Sequence, residues 1–260
     1  MGGSLNVELD FPSIMKLSAP VLRLREALLS FLYPEVCQLC RVQSARATSG
    51  YVCGDCKSKL SFIEPPFCDR CGLPYDGEIQ TAFECSNCQP LKLEFRYARS
   101  IVAAKGVGLE LIHRYKYHRA LWFDPLFAEL LAAHARPQIP SSDWDVIVPV
   151  PLHPLKQRER EFNQAERLAD HLSLATGLPV DRQCIKRVAI TRTQTTLSRA
   201  ERATNVHHAF EVAGTLPSTR RRVILIDDVL TTGATLSECA RALRRAGAED
   251  VCAWTLARGL

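Results

Sequence analysis

Residues 223–235 read VILIDDVLTTGAT. Val223, Ile224, Leu225 and Ile226 form an unbroken apolar run, the pattern of a strand buried on both faces. That strand is expected to stop at two carboxylates, Asp227 and Asp228. Val229 and Leu230 then lead into Thr231, Thr232, Gly233, Ala234 and Thr235, a turn of small and hydroxyl-bearing residues. Leu236, Ala240 and Leu243 follow at helical spacing, so a helix is expected from near Leu236. Main-chain N–H groups of such a turn, with the positive end of the helix, can hold a phosphate. Carboxylates beside it can engage hydroxyls or a Mg²⁺ ion. A sugar phosphate meets both demands. The plainer reading is a helix entered through an Asp/Thr-rich loop, with Thr235 as N-cap; it leaves the coincidence of carboxylates, glycine and helix unexplained.

The chain has 260 residues, enough for a substantial core and two domains. With 47% hydrophobic and 23% charged residues it reads as an ordinary globular protein. A net charge of +5 suits a polyphosphate ligand or nucleic acid without selecting either. No apolar run reaches membrane-spanning length. The segment Ile14–Tyr33 carries Lys16, Arg23, Arg25 and Glu26 and no small-residue cleavage signal, which argues against export. Val21, Leu22, Leu24, Leu28, Leu29 and Leu32 suit an amphipathic helix docked on the protein, with a membrane-surface role as the alternative. The expected location is the cytoplasm, or the inner face of its membrane.

Eight of the 11 cysteines form four C-x-x-C pairs: Cys37/Cys40, Cys53/Cys56, Cys68/Cys71 and Cys85/Cys88. Twelve residues separate the first two pairs and 13 the last two, so two similar modules stand in tandem. Two thiolates two residues apart grip one tetrahedral metal, and two such turns complete a four-sulfur site. Disulfides need an oxidising compartment. A thioredoxin-type centre needs one C-x-x-C at a strand–helix junction rather than four in loops. Structural zinc, one or two ions, is the expectation, and the matched repeat favours sequential pairing over a cross-brace. Cys184, Cys239 and Cys252 read as core thiols in strand or helix.

From Leu91 the pattern alternates. Strands are expected at Ala98–Ala104, Val146–Val148, Ile185–Val188, Val223–Ile226 and Val251–Leu256. Helices are expected at Leu109–Tyr117, Pro125–Ala135, Asn163–Ala175 and after Leu236, with a basic loop around Lys156, Arg158 and Arg160. Such alternation implies an α/β fold with a largely parallel sheet, its ligand beyond the carboxyl ends of the strands. The expected division is an N-terminal extension at 1–33, zinc ribbons at 34–90 and the α/β domain at 91–260.

DDVLTTGAT behind an apolar strand resembles the 5-phosphoribosyl 1-diphosphate (PRPP) signature of type I phosphoribosyltransferases. VPVPLHP (148–154), REFNQ (160–164), QTTLSRAER (194–202) with Asn205 and Phe210, and IHRYKY (112–117) resemble, more narrowly, the ComF family of competence protein F-like proteins. Its members join a double zinc ribbon to a phosphoribosyltransferase-type domain. The resemblance implies that Asp227 and Asp228 hold the ribose hydroxyls and that Thr231–Thr235 wrap the 5′-phosphate. It places the diphosphate near Lys156, Arg158 and Arg160, with help from His153 and Lys116. It puts Gln194, Arg199 and Arg202 on a loop, 191–205, that closes over the sugar. It implies Mg²⁺ with PRPP, pentosyl transfer to an unnamed acceptor, and a part in natural transformation, with single-stranded DNA and the uptake machinery as partners. A non-catalytic PRPP sensor or a DNA-binding adaptor, with Phe62, Phe67, Tyr75 and Phe83 as stacking surfaces or as ribbon packing, is the alternative. The family usually has glycine where Glu161 stands, and a carboxylate facing the pocket would repel an anion.

Overall fold

The computed structural model describes residues 35–77, 81, 83–88, 92–189, 209–212 and 214–260. The helix expected at Ile14–Tyr33 and the loop residues Gln194, Arg199 and Arg202 lie outside them.

Four strands, β1 (Ala98–Ala103), β2 (Val146–Pro149), β5 (Arg222–Leu230) and β6 (Asp250–Arg258), form one sheet in the order β1-β6-β5-β2, every pair parallel. β5 is central because its side chains are apolar on both faces. Ile224 and Ile226 point to one side, with Ile101, Ile147, Trp254 and Leu256. Val223 and Leu225 point to the other, with Val146, Val148, Val251 and Ala253. Helices α2 (Gly106–Tyr117), α3 (Asp124–Leu130) and α5 (Gln164–Thr176) cover the first face; α6 (Ala234–Arg245) covers the second. None of the described helices is long and apolar enough to cross a membrane.

The cysteine modules, with the one-turn helix α1 (Gly54–Ser58), straddle the β1 edge. Ile63 N–H donates to Ile101 O (2.9 Å), Ala103 N–H to Ser61 O (2.8 Å) and Ala98 N–H to Arg70 O (2.8 Å). These bonds occupy backbone groups that an edge strand would leave bare. Cys37, Cys53 and Cys56 join the core of the first face, while Cys68, Cys71, Cys85 and Cys88 join that of the second. The two modules therefore grip opposite sides of one sheet.

Four expectations need correction. The central strand runs four residues past Ile226, because β6 is long enough to pair with it as far as Leu230. The basic loop is a helix, α4 (Pro154–Arg160): Pro154 pre-sets its first turn, and His153 Nδ1 accepts from Leu155 N–H at 3.2 Å. The strand near Ile185 is not in the main sheet; β3 (Ile185–Arg187) pairs antiparallel with β4 (Phe210–Val212) as a separate hairpin. Cys184 precedes that strand, half-buried, whereas Cys239 and Cys252 are fully buried.

Candidate functional site

At the carboxyl ends of β2 and β5 lies a cleft of about 240 Å³. One wall is Asp227–Leu236, the end of β5 and the entry to α6. The other carries Lys116 and Tyr117 from the end of α2, Lys156 and Arg160 from α4, and Arg187 from β3; Val150, Leu152, Asn163 and Gln164 form the floor.

The acid wall is built from buried strand. Asp228 is buried and pairs with Lys116 Nζ at 2.9 Å. Asp228 N–H donates to Asp227 Oδ1 (2.8 Å). Burial, with the Asp228 charge beside it, pushes the Asp227 carboxyl up to about 7. For Lys116 burial opposes the charge, but Asp228 and Asp227 outweigh it and hold the amine above its ordinary value. Gly233 is the N-cap of α6 with φ 81°, the left-handed region glycine enters without strain. Helix α6 thus starts at Ala234, two residues before the expected position, and Thr232 Oγ1 accepts from Ala234 N–H (3.3 Å). The first amides of a helix have no intrahelical acceptor, so this turn has donors to offer.

The cationic wall is less enclosed. Burial lowers the Lys156 amine, and Arg187 and Arg160 lower it further. Burial also lowers Arg187. Mutual repulsion of cations around an open space favours an anionic occupant. Arg160 stacks over the Tyr117 ring (5.3 Å) and donates to Gln164 Oε1 (3.3 Å). Gln164 is 2% exposed, and its Nε2 has no hydrogen-bond partner among the described residues. Arg158 sits on the exposed side of α4, away from the cleft, and His153 serves as the α4 cap. Arg187 and Gln164 are cleft residues that the sequence did not single out for ligand contact.

Glu161 follows α4 with φ 65°. This is the left-handed C-terminal position that favours glycine, in keeping with the glycine that the resemblance implies there. Its carboxylate turns onto Arg119 Nη1 (2.8 Å), on the protein surface, and does not line the cleft.

The eight ribbon cysteines form two tetrads by sequential pairing: Cys37, Cys40, Cys53, Cys56 and Cys68, Cys71, Cys85, Cys88. Sulfur separations of 3.8 Å (Cys40–Cys53) and 3.6 Å (Cys85–Cys88) match the roughly 3.8 Å edge of a tetrahedron with 2.3 Å metal–sulfur bonds. Main-chain N–H groups of Cys53 and Cys85 donate to Cys37 Sγ (3.4 Å) and Cys68 Sγ (3.3 Å), as in thiolate knuckles. All four ligands of each set are sulfur, so each is a closed, structural zinc site. The ribbon aromatics are engaged internally: Phe62 stacks on His134 (4.5 Å), Tyr75 meets Phe83 edge-on (4.4 Å), and Arg99 covers Phe67 (4.6 Å).

A parallel sheet with a hydroxyl-rich turn and an acid pair at its carboxyl end, carried with two cysteine tetrads, defines a phosphoribosyltransferase-type protein with a double zinc ribbon. Residues 28–89 match the family model of the double zinc ribbon domain, and 165–260 that of the phosphoribosyl transferase domain. The chain is 35% identical over 231 residues to competence protein F of Haemophilus influenzae, covering 85% of this chain and 96% of that one. It is 31% identical over 230 residues to the DNA utilization protein YhgH of Escherichia coli K12 (87% and 98% covered). It is 30% identical over 215 residues to competence protein ComFC of Bacillus subtilis (80% and 84%). The chain belongs to the competence protein F family.

Proposed function

We propose that the cleft binds PRPP and that the protein acts as a phosphoribosyltransferase in the handling of DNA during competence. The observation that carries this reading is the meeting, in one cleft, of an acid pair, a helix-entry turn and a cationic wall. Asp227 and Asp228 clasp the ribose 2′ and 3′ hydroxyls, and the Thr231–Thr235 turn cups the 5′-phosphate. Lys156, Arg160 and Arg187 face the diphosphate, with Gln164 Nε2, unpartnered among the described residues, as a further donor. Lys116 holds Asp228 in place. Gln194, Arg199 and Arg202 belong to the closing loop, and Arg158 attracts the anion from outside.

In the transfer step the bond from ribose C1 to the diphosphate oxygen breaks, and a bond from C1 to the acceptor forms. Diphosphate leaves with the electron pair. The carboxylates stabilise the positive ribose, and the cations the departing anion. Mg²⁺, for which two carboxylates and substrate phosphates are a fitting oxygen set, supplies further charge neutralisation when bound. The protein works in the cytoplasm, its 34–90 half serving as the scaffold of the 91–260 half.

Titration calorimetry with PRPP and Mg²⁺ tests the binding, and diphosphate release over an acceptor panel tests the transfer. The doubly substituted Asp227→Asn/Asp228→Asn protein should lose PRPP affinity by about a hundredfold or more. Unchanged affinity overturns the site, and PRPP binding without diphosphate release reduces the role to sensing.

A further inference from the structure

We propose that Arg258 is a positioning residue that ties the second zinc ribbon to the phosphate-binding turn, so that this tetrad, and not the first, sets the geometry of that turn. The inference rests on the phosphate role given to that turn.

Arg258 ends β6 and is 3% exposed. Its guanidinium donates in two directions. Nε reaches Cys71 O (3.2 Å) and Nη2 reaches Cys71 Sγ (3.5 Å). Nη1 reaches Leu230 O (3.1 Å), Thr231 O (2.6 Å) and Gly259 O (2.5 Å). All five bonds go to carbonyls or sulfur, so among the described residues this buried charge has no carboxylate hydrogen-bond partner. Four thiolates around a divalent metal leave a net charge of about −2, which makes the loaded tetrad the counter-charge of Arg258.

The bonds to Leu230 and Thr231 have a geometric effect. A trans peptide points its N–H opposite to its C=O. Holding the Leu230 and Thr231 carbonyls therefore turns the Thr231 and Thr232 N–H groups away from Arg258, and both residues line the cleft. Arg258 aims two consecutive donors at the anion without touching it.

A second strut runs parallel. The side-chain space at Gly233 is bounded by Leu93 and Phe95, which a Cβ there would meet and which share a core with the second tetrad. Between them, Glu94 N–H donates to Ser237 Oγ (3.1 Å) in the first turn of α6. Among the described residues, the first ribbon makes no hydrogen bond or ion pair to the turn. It meets α2 through Arg114 and Gln38 O, and α3 through Lys57 and Glu129, both away from the turn.

The experiment compares wild type with Arg258→Met, Arg258→Lys, Cys40→Ser and Cys85→Ser by amide hydrogen exchange at Thr231–Ala234, zinc content, and calorimetry with PRPP and Mg²⁺. Arg258→Met is expected to keep its zinc, raise exchange at the turn at least tenfold and weaken PRPP binding at least tenfold. Arg258→Lys should recover part of both. Cys85→Ser should loosen the turn, whereas Cys40→Ser should leave it as in wild type. Zinc-loaded Arg258→Met with wild-type exchange and affinity overturns the inference, as does equal loosening by the two cysteine variants. If Arg258→Met fails to fold, Arg258→Lys decides: wild-type exchange and affinity in it count against the strut. Should wild type itself bind no PRPP, the functional reading fails, while the exchange data still judge the strut.

Discussion

The two walls of the cleft are made differently. The acid wall is the continuation of a central strand, flanked by β2 and β6, capped by α6 and braced from beneath by Arg258. The cationic wall is assembled from the tips of α2, α4 and β3, where Arg119 and Glu161 sit at φ 51° and 65°. Rigid placement suits a pentose phosphate, whose hydroxyls and phosphate lie at fixed spacing. A wall of long side chains on separate elements suits a diphosphate that must be gripped and then released. Under the proposed function, the contrast separates recognition from departure.

Substitutions can break or sharpen that contrast. The largest effect is expected from Asp228→Ala, which removes the ion-pair partner of the mostly buried Lys116 and leaves Asp227 as its nearby counter-charge. Stability should fall by about 3 kcal/mol in urea unfolding, whereas Lys116→Met/Asp228→Leu should recover most of it. Asp227→Asn comes next and acts with the opposite sign. The folded carboxyl holds its proton up to about pH 7, while an unfolded one releases it near pH 4. Between those values wild-type stability falls as pH rises. The asparagine variant escapes that loss, so its unfolding free energy in urea should exceed that of wild type at pH 8 by on the order of 2 kcal/mol and match it at pH 4.

On the cationic wall, Lys156→Ala and Arg187→Ala should each weaken PRPP about tenfold, near 1.4 kcal/mol. Stability should change little for Lys156→Ala, more for Arg187→Ala, which also loses its stacking over Phe210 (5.4 Å), and in both the salt dependence should flatten. Strong destabilisation by either would mean that this wall is as much core as the other. The smallest effect is expected from Glu161→Gly. Relief of the left-handed strain, less the loss of an exposed ion pair, should stabilise the protein by about 1 kcal/mol or less without changing affinity.

The acid wall was largely legible in the sequence; on the cationic wall Lys116, Lys156 and Arg160 were legible as residues, but the elements that carry them together, and Arg187, were not. An unbroken apolar run, paired acids and a glycine before a helix are local signals, as are the cysteine spacings. The strand's extension through Asp227 to Leu230 was hidden because it depends on pairing with β6, not on its own pattern. Helix α4 lacks an apolar stripe; Pro154 at its first turn was the available sign. Three-residue strands such as β3 leave no periodicity to read, so Arg187 had no context. Arg258 was the hardest to see, because its partners come from Cys71 and Thr231, far away along the chain.

A fragment beginning at residue 91 would keep every cleft residue and still behave badly. Without Ser61–Ile63 and Arg70 beside it, β1 would present a naked ladder to its neighbours in solution, and chains would stack flank to flank into aggregates. The metal half is thus a molecular chaperone in permanent attendance, and a lineage that discarded it would first have to find another cover for that flank.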